Sequence, residues 1–363
     1  MLRNGLLLCA LLCVVGGTAH HKRVAERYMN DAKFRERLVK HIAEFPSAPI
    51  TNGAPDFNCP NMVSQSVPTN VHSLRPGDIK VVAALGDSLT AGNGAGATNL
   101  LEVLLEYRGE AFSIGGDDDL STRHFNPALF GQSYKIGATS VWDISYLNTG
   151  FPGDIAADLP GQAHDLVTRM QSHPDDVDMQ NDWKLITLFI GANDICNYCV
   201  ATDYFSAANY VRHIKEAVQF IYDNVPRVLL QIVSPLHVEI ARQIDAAHPI
   251  CDAAHILFEC QCEFEHNVTD AQFSAVATAY EQPDGTPNLS LFAPDCFHFS
   301  GPLHSAVARI LWNTMITPLG QKQKQFNLTN IDLPLNCPDP ACPFIRTTKN
   351  SAQCSQFWTV PRD

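Results

Sequence analysis

Three residues from distant parts of the chain have the types that hydrolysis of an ester requires. Ser88 follows a short apolar run, whereas Asp295 and His298 lie three residues apart near the other end. A serine hydroxyl attacks a carbonyl when a base removes its proton, and a carboxylate commonly orients that base. In a loop or a first helical turn, this spacing lets the Asp295 carboxylate accept a hydrogen bond from His298 Nδ1. We therefore predict Ser88 as nucleophile, His298 as base and Asp295 as its orienting partner.

Three continuous apolar runs predict buried strands of a parallel sheet at residues 81–85, 185–190 and 228–233. The first run ends at Gly86–Ser88 and the second at Gly191–Asp194. Ligands of open parallel sheets bind beyond the carboxyl ends of the strands, so we expect the site at that edge.

Two amphipathic helices are predicted between and after these strands. One has Ser206 as its N-cap and ends before Pro226, and the other begins near residues 300–302. The residues expected to face the core are Tyr210, Val211, Ile214, Val218 and Ile221 in the first helix, and Leu303, Ala306, Val307, Ile310 and Leu311 in the second. Alternating strands and helices predict an α/β fold whose sheet is covered on both faces.

Four blocks of the sequence resemble the GDSL esterase/lipase family, also called the SGNH hydrolases. Residues 86–89 (Gly-Asp-Ser-Leu) are similar to its first block, and Asp295-x-x-His298 is similar to its last. Residues 148–153 and 191–194 are similar to the second and third blocks. The resemblance implies that Gly153 N–H and the Asn193 amide join Ser88 N–H as oxyanion donors. It also implies a three-layer α/β/α, flavodoxin-like fold with a central, mainly parallel sheet.

Longer stretches are similar to the animal phospholipase B branch of that family. They are residues 86–95, 158–163, 188–199, 293–298 and 343–347. The resemblance implies phospholipase A and lysophospholipase activity on phospholipids at a lipid–water interface, with neither a metal nor another cofactor. Proteins of this branch often carry tandem copies and a C-terminal membrane anchor. This chain has one copy and a hydrophilic end, so we expect no transmembrane anchor.

The composition excludes several other classes of protein. Of 363 residues, 45% are hydrophobic and 17% are charged, so a large core can form and global disorder is excluded. The formal net charge is −13 and no stretch is dominated by basic residues, which argues against a nucleic-acid partner. No run of about 18 apolar residues is present to predict a membrane span.

The N-terminal segment has the pattern of a secretory signal. Arg3 precedes an apolar stretch over residues 5–15, and small residues follow at 17–19. We predict a signal peptide over residues 1–19 and a secreted, extracellular protein. The remaining chain is predicted to comprise an extension (20–76) with a helix around residues 24–45, a hydrolase domain (77–320) and a Cys- and Pro-containing tail (321–363).

The cysteines indicate disulfide bonds. The chain has 12 cysteines, and removal of Cys9 and Cys13 with the signal would leave 10, an even number. Cys196 and Cys199 have CxxC spacing, but no second pair lies at zinc-ligand spacing, so we predict structural bridges of unknown pairing. Asn267, Asn288 and Asn327 begin N-glycosylation sequons.

Alternative interpretations remain at this stage. His304 competes with His298 as the base, although its position within a predicted helix favours packing. Residues 92–97 fit a dinucleotide-binding pattern, but they begin too far beyond the strand. The same catalytic residues would serve a carbohydrate O-acetyl esterase or a general carboxylesterase. A third alternative is a non-catalytic secreted lipid-binding protein. We expect a monomer.

Overall fold

The computed structural model describes residues 59–99, 102–117, 126–234, 289–323 and 333–362, together with the single positions 33, 57, 260, 262, 326 and 331. The predicted signal peptide and all three sequon asparagines lie outside the described residues. The helix predicted around residues 24–45 also lies outside them, apart from Lys33.

The described chain alternates strands and helices. The strands are β1 (Ile79–Gly86), β2 (Trp183–Phe189) and β3 (Val228–Val233). The α-helices are α1 (Ser88–Ala91), α2 (Trp142–Ser145), α3 (Leu159–Ser172), α4 (Ala192–Asn197), α5 (Ala207–Asn224), α6 (Gly301–Ile316) and α7 (Thr348–Ala352). Within the described residues, no helix is both long enough and apolar enough to cross a bilayer.

The three strands form one parallel sheet in the order β1-β2-β3. At its carboxyl edge, Gly86 pairs with Phe189, and Phe189 pairs with Val233. Residues 81–86 of β1 are all buried. Because successive side chains of a strand point to opposite faces, this burial shows that both faces of the sheet are covered. The predicted three-layer α/β/α fold with a parallel sheet is confirmed.

Helix α5 is capped as the sequence predicts, since Ser206 Oγ accepts a hydrogen bond from Asn209 N. It packs against α3, and its core-facing residues centre on Ile214, Ala217 and Ile221. The prediction that Val211 faces the core is wrong, because this side chain is 44% exposed. At about 100° per residue, Val211 lies at the edge of the apolar stripe rather than within it.

Helix α6 is buried on a wider face than its apolar pattern predicts. Leu303 and Ala306 are buried as expected, whereas Val307, Ile310 and Leu311 are only partly buried. His304, Arg309 and Trp312 are also buried, and the last two donate hydrogen bonds to the carbonyl oxygens of Leu333 and Asn336. The C-terminal tail therefore covers a helix face that the pattern alone assigns to solvent.

The segment before β1 and the C-terminal tail pack against each other. A disulfide joins Cys59 to Cys337, and Gln65 N donates to the Val360 carbonyl. Arg75, which is fully buried, lies with its guanidinium 5.0 Å from the centre of the Phe344 ring. The two ends of the described chain thus form one packed unit at the amino edge of the sheet. The domain boundaries drawn from the sequence remain predictions.

Candidate active site

Ser88 lies at the point where strand β1 gives way to helix α1. Asp87 caps this short helix, because its Oδ1 accepts a hydrogen bond from Leu89 N at 3.0 Å. Gly86 allows the close approach of the neighbouring strand. A Cβ at this position would lie 2.2 Å from the Phe189 carbonyl oxygen and 2.2 Å from Thr90 Oγ1. The Gly-Asp-Ser sequence is therefore what permits a buried strand to end directly in the helix that begins with Ser88.

Asp295 and His298 occupy a turn just before helix α6. Asp295 Oδ1 accepts hydrogen bonds from the backbone N–H groups of Phe297 and His298, and Oδ2 lies 2.6 Å from His298 Nδ1. Cys296 has a φ of 62° in this turn and is disulfide-bonded. Burial alone would raise the pKa of Asp295, but the facing imidazole and these hydrogen bonds lower it below its usual value. The carboxylate is thus kept ionised against the histidine ring.

The imidazole of His298 links Ser88 to Asp295, although the serine lies 210 residues before the histidine in the sequence. Its Nε2 lies 2.8 Å from Ser88 Oγ, while its Nδ1 faces Asp295. All three side chains are at least nine-tenths buried. With Nδ1–H donated to the carboxylate, Nε2 has a lone pair directed at the serine hydroxyl. The three residues that the sequence predicts to cooperate are brought into hydrogen-bonding contact.

The loop that carries Gly153 lies between the serine and Asn193. Phe151 N donates to the Gly86 carbonyl at 3.0 Å, and Asn193 Nδ2 donates to the Asp154 carbonyl at 2.8 Å. Gly153 itself is exposed and has a φ of 82°, a conformation that favours glycine. The residues on either side of Gly153 are therefore fixed to the serine segment and to helix α4, whereas the oxyanion role of its N–H group stays a prediction.

Asn193 and Asp194 lie in the first turn of helix α4 and hold the same loop. Asp194 is buried, and both of its carboxylate oxygens accept from Ala156 N, at 2.9 and 3.2 Å. Asp194 therefore holds the loop rather than facing Ser88. Two disulfides, Cys196–Cys260 and Cys199–Cys262, connect the end of α4 to a later segment. The predicted disulfides are thus present, and the CxxC cysteines bond to other cysteines rather than to each other.

His304 packs against Phe112 and is not placed to act as the base. Its Nδ1 accepts a hydrogen bond from Phe112 N at 3.2 Å, and its ring stacks on that of Phe112 at 5.8 Å between centres. Burial, with a smaller contribution from His298, lowers the pKa of His304 to about 3. A neutral imidazole packed among aromatic rings fits the packing role favoured by the sequence.

Arg108 is a buried residue that the sequence analysis did not identify. Its fully buried guanidinium pairs with Glu106 and donates to the carbonyl oxygens of Asn148 and Gly150, at 3.1 and 2.8 Å. Both carbonyls belong to the loop that leads to Gly153. The sequence shows only that Glu106 precedes Arg108 by two residues. Such a pair of opposite charges is common on protein surfaces, so it does not indicate a buried residue.

With this geometry established, comparison with known proteins defines the class. Residues 82–311 match the family model described as GDSL-like Lipase/Acylhydrolase. This match covers more than half of the chain and includes every predicted catalytic and oxyanion residue. The chain therefore belongs to the GDSL-like lipase/acylhydrolase family, whose members hydrolyse acyl esters.

Within that class, the relatives are phospholipases B. "Phospholipase B1, membrane-associated" from Homo sapiens is 36% identical over 362 residues, which cover 86% of this chain and 25% of the relative. The protein of the same name from Mus musculus is 36% identical over 378 residues, which cover 91% of this chain and 25% of the relative. The resemblance to the phospholipase B branch is confirmed. The chain spans about a quarter of the length of these curated relatives, and no solved structure matches it significantly.

Proposed function

We propose that the protein is a secreted serine esterase that hydrolyses the carboxylic esters of glycerophospholipids and lysophospholipids. The observation that carries this proposal is the position of His298, within 2.8 Å of Ser88 Oγ and 2.6 Å of Asp295 Oδ2. A hydroxyl, an imidazole and a carboxylate in this order form the arrangement that serine hydrolases use for acyl transfer.

The reaction proceeds through an acyl-enzyme on Ser88. As Oγ attacks the ester carbonyl, His298 Nε2 takes its proton, and Asp295 stabilises the resulting imidazolium. His298 then returns the proton to the departing alcohol oxygen of the glycerolipid. In the second half, His298 takes a proton from a water molecule whose oxygen attacks the acyl carbonyl, and it returns that proton to Ser88 Oγ as the fatty acid leaves. The side chains supply every proton transfer, so the proposed mechanism requires neither a metal nor a cofactor.

Three N–H donors are proposed to stabilise the negative oxygen of the tetrahedral intermediate. They are the backbone N–H groups of Ser88 and Gly153 and the side-chain amide of Asn193. The amide nitrogen of Asn193 carries two hydrogens, of which one is used by the Asp154 carbonyl. The second can bind the oxyanion. Loss of one such donor typically lowers kcat by about 10²–10³-fold.

The choice of phospholipids as substrates rests on the relatives. Both carry the name phospholipase B1, and their identity to this chain extends over most of its length. An O-acetyl esterase acting on carbohydrates would use the same catalytic residues, so the substrate must be decided by measurement. A lipid-binding protein without activity would have no use for the contact between Ser88 and His298.

Secretion is proposed from the predicted signal peptide and from the cysteines. Four disulfides have both of their cysteines among the described residues, and such bonds form and persist in oxidising compartments. The curated relatives are named membrane-associated. N-terminal sequencing of the protein recovered from culture medium, with glycosidase treatment, tests both the cleavage after residue 19 and the predicted glycosylation.

Phosphatidylcholine with different acyl chains at its two positions tests the function. We expect the wild-type protein to release fatty acid and the Ser88→Ala variant to lose at least about 10⁴-fold in kcat. Ser172→Ala, an exposed serine on helix α3, is the matched control and should keep full activity. If the wild-type protein hydrolyses acetyl esters but leaves phosphatidylcholine intact, the proposed substrate changes from a phospholipid to a carbohydrate O-acetyl ester. An active, folded Ser88→Ala protein would exclude Ser88 as the nucleophile.

A further inference from the structure

Gln162 binds the backbone immediately before the catalytic segment. It lies in the first turn of helix α3 and is 7% exposed. Its Oε1 accepts from Gly86 N at 2.8 Å, and its Nε2 donates to the Gly86 carbonyl at 2.7 Å. Gly86 is the last residue of β1 and stands two positions before Ser88. The glutamine amide therefore fixes both peptide groups of the residue from which the chain enters the helix that begins with Ser88.

This contact replaces one hydrogen bond of a backbone pairing along the edge of β1. Along this edge of β1, Ala84 N donates to the Leu147 carbonyl, and Thr149 N donates to the Ala84 carbonyl. One step further, Gly86 N is bound by the Gln162 side chain instead of by backbone. The pairing still includes the bond from Phe151 N to the Gly86 carbonyl, and the Gln162 side chain keeps the buried N–H group of Gly86 satisfied.

The remaining hydrogen of the Gln162 amide reaches the oxyanion loop. Nε2 also donates to Asp154 Oδ2 at 2.8 Å, and the Asp154 carbonyl accepts from Asn193 Nδ2 at 2.8 Å. One side chain thus connects, directly or through Asp154, the segments that carry Ser88, Gly153 and Asn193. Its oxygen and both of its hydrogens are used in these three bonds.

We propose that Gln162 is a positioning residue that holds the oxyanion donors of Gly153 and Asn193 in place relative to Ser88. This inference rests on the proposed hydrolase function. Donors stabilise a developing oxyanion when they lie within a few tenths of an ångström of their best position, and a displacement of about 1 Å lowers the rate by about 10²-fold. A side chain that only packed helix α3 against the sheet would contribute to stability and leave the chemical step unchanged.

Gln162→Met separates these two roles, since methionine has a similar shape and forms none of the three hydrogen bonds. Gln171→Met is the matched control, because Gln171 is exposed on the same helix. For a long-chain nitrophenyl ester, we expect kcat of Gln162→Met to fall about 10- to 100-fold with KM changed less than twofold. An alkyl trifluoromethyl ketone should bind more weakly by the same factor. In that adduct Ser88 Oγ bonds to the ketone carbon, His298 takes the proton, and the ketone oxygen becomes an oxyanion.

Binding of an ether-linked phospholipid, which has no ester to cleave, should be unchanged in the variant. The positioning role is refuted if Gln162→Met keeps kcat within twofold of wild type. It is also refuted if ketone and ether-lipid affinities weaken equally. The Gln171→Met control should match wild type in every measurement.

If Gln162→Met does not fold, two variants of Asp154 test the same contact. Asp154→Asn keeps an oxygen acceptor for Gln162 Nε2, whereas Asp154→Ala removes it. We expect Asp154→Ala to lower kcat about tenfold and Asp154→Asn to recover most of that loss. Equal kcat values for the two variants would contradict the proposal.

Labelling with a fluorophosphonate distinguishes this proposal from the proposed function. If wild-type Ser88 is not labelled, the serine-hydrolase function fails, and the positioning role fails with it. If wild type and Gln162→Met are labelled at the same rate, only the positioning role fails.

Discussion

Asp295 and Asp87 are two buried carboxyl groups in the region of the site, and the protein shifts their pKa values in opposite directions. Asp295 receives three hydrogen bonds and faces His298, so its pKa lies below the usual value in spite of burial. Asp87 is equally buried, but its Oδ1 accepts a single bond and its Oδ2 has no hydrogen-bond partner among the described residues. Two aspartates in one site are thus suited to different charges, which is typical of active sites.

Burial raises the pKa of Asp87 to about 7, with Asp194 and Asp154 adding to the rise and Leu89 N–H and His298 opposing it. In the unfolded chain the same group titrates near pH 4. Between these values the folded state binds more protons than the unfolded state, so this group makes the free energy of unfolding fall as pH rises. The loss of unfolding free energy caused by Asp87 is therefore absent below about pH 4 and fully present above about pH 7.

Asp87→Asn should remove this cost, because an amide still accepts from Leu89 N but carries no charge. At pH 8 we expect the variant to exceed wild type in unfolding free energy by up to about 4 kcal/mol, with the difference disappearing near pH 4. Denaturant unfolding at the two pH values measures it. Asp143→Asn, at an exposed position, is the control. A difference independent of pH would show that Asp87 does not titrate in this window.

At the scale of elements, the sequence predicted the features that depend on local residue patterns, namely strand bounds and helix caps. Strand β3 has the bounds that its apolar run indicates, and Ser206 caps α5 as its side chain allows. The site was predictable in its chemistry because Ser88, Asp295 and His298 have types that few other roles require together. Gln162 and Arg108 were not, since each acts on backbone carbonyl or N–H groups that only the folded chain brings near. Disulfide pairing was equally inaccessible, as spacing does not specify a partner.

The two disulfides that begin in and just after α4 close nearly the same loop. Cys196–Cys260 and Cys199–Cys262 span 64 and 63 residues, so either bridge alone restrains the long segment between them. In the chain-entropy description, a loop of this length is worth about 4 kcal/mol, whereas the small ring added by a second bridge is worth about 2 kcal/mol. The contributions of the two bridges are therefore not additive.

Replacing Cys199 and Cys262 together by Ala should lower the unfolding free energy by about 2 kcal/mol, and replacing Cys196 and Cys260 should give a similar loss. Replacing all four should cost about 6 kcal/mol, more than the sum of the two pairs, because the long loop is then released. Denaturant unfolding of the three variants tests this. The comparison is made with a Cys342→Ala/Cys354→Ala protein, whose bridge closes a separate 12-residue loop. Strict additivity of the two pairs would contradict the shared-loop account.

At the scale of the whole molecule, the chain ends stabilise the edge of the sheet opposite the active site. Arg75 precedes β1, and its guanidinium donates to the carbonyl oxygens of Asn61 and Thr359 while lying beside the rings of Phe344 and Trp358. The eight residues of β1 separate this cluster from the serine by roughly 20 Å or more. Stability and catalysis should therefore respond separately to changes at the two ends of the strand.

Arg75→Lys tests this separation. An ammonium group keeps the charge but loses the planar fork that binds two carbonyls and stacks between two rings. We expect a loss of about 2–4 kcal/mol in unfolding free energy, with kcat unchanged well below the new melting temperature. Arg212→Lys is the control, because Arg212 is half exposed on α5 and pairs with Glu216 along the helix. A fall in kcat of the folded Arg75→Lys protein would contradict this separation. It would show that the two ends of β1 are coupled and that the terminal segments contribute to catalysis.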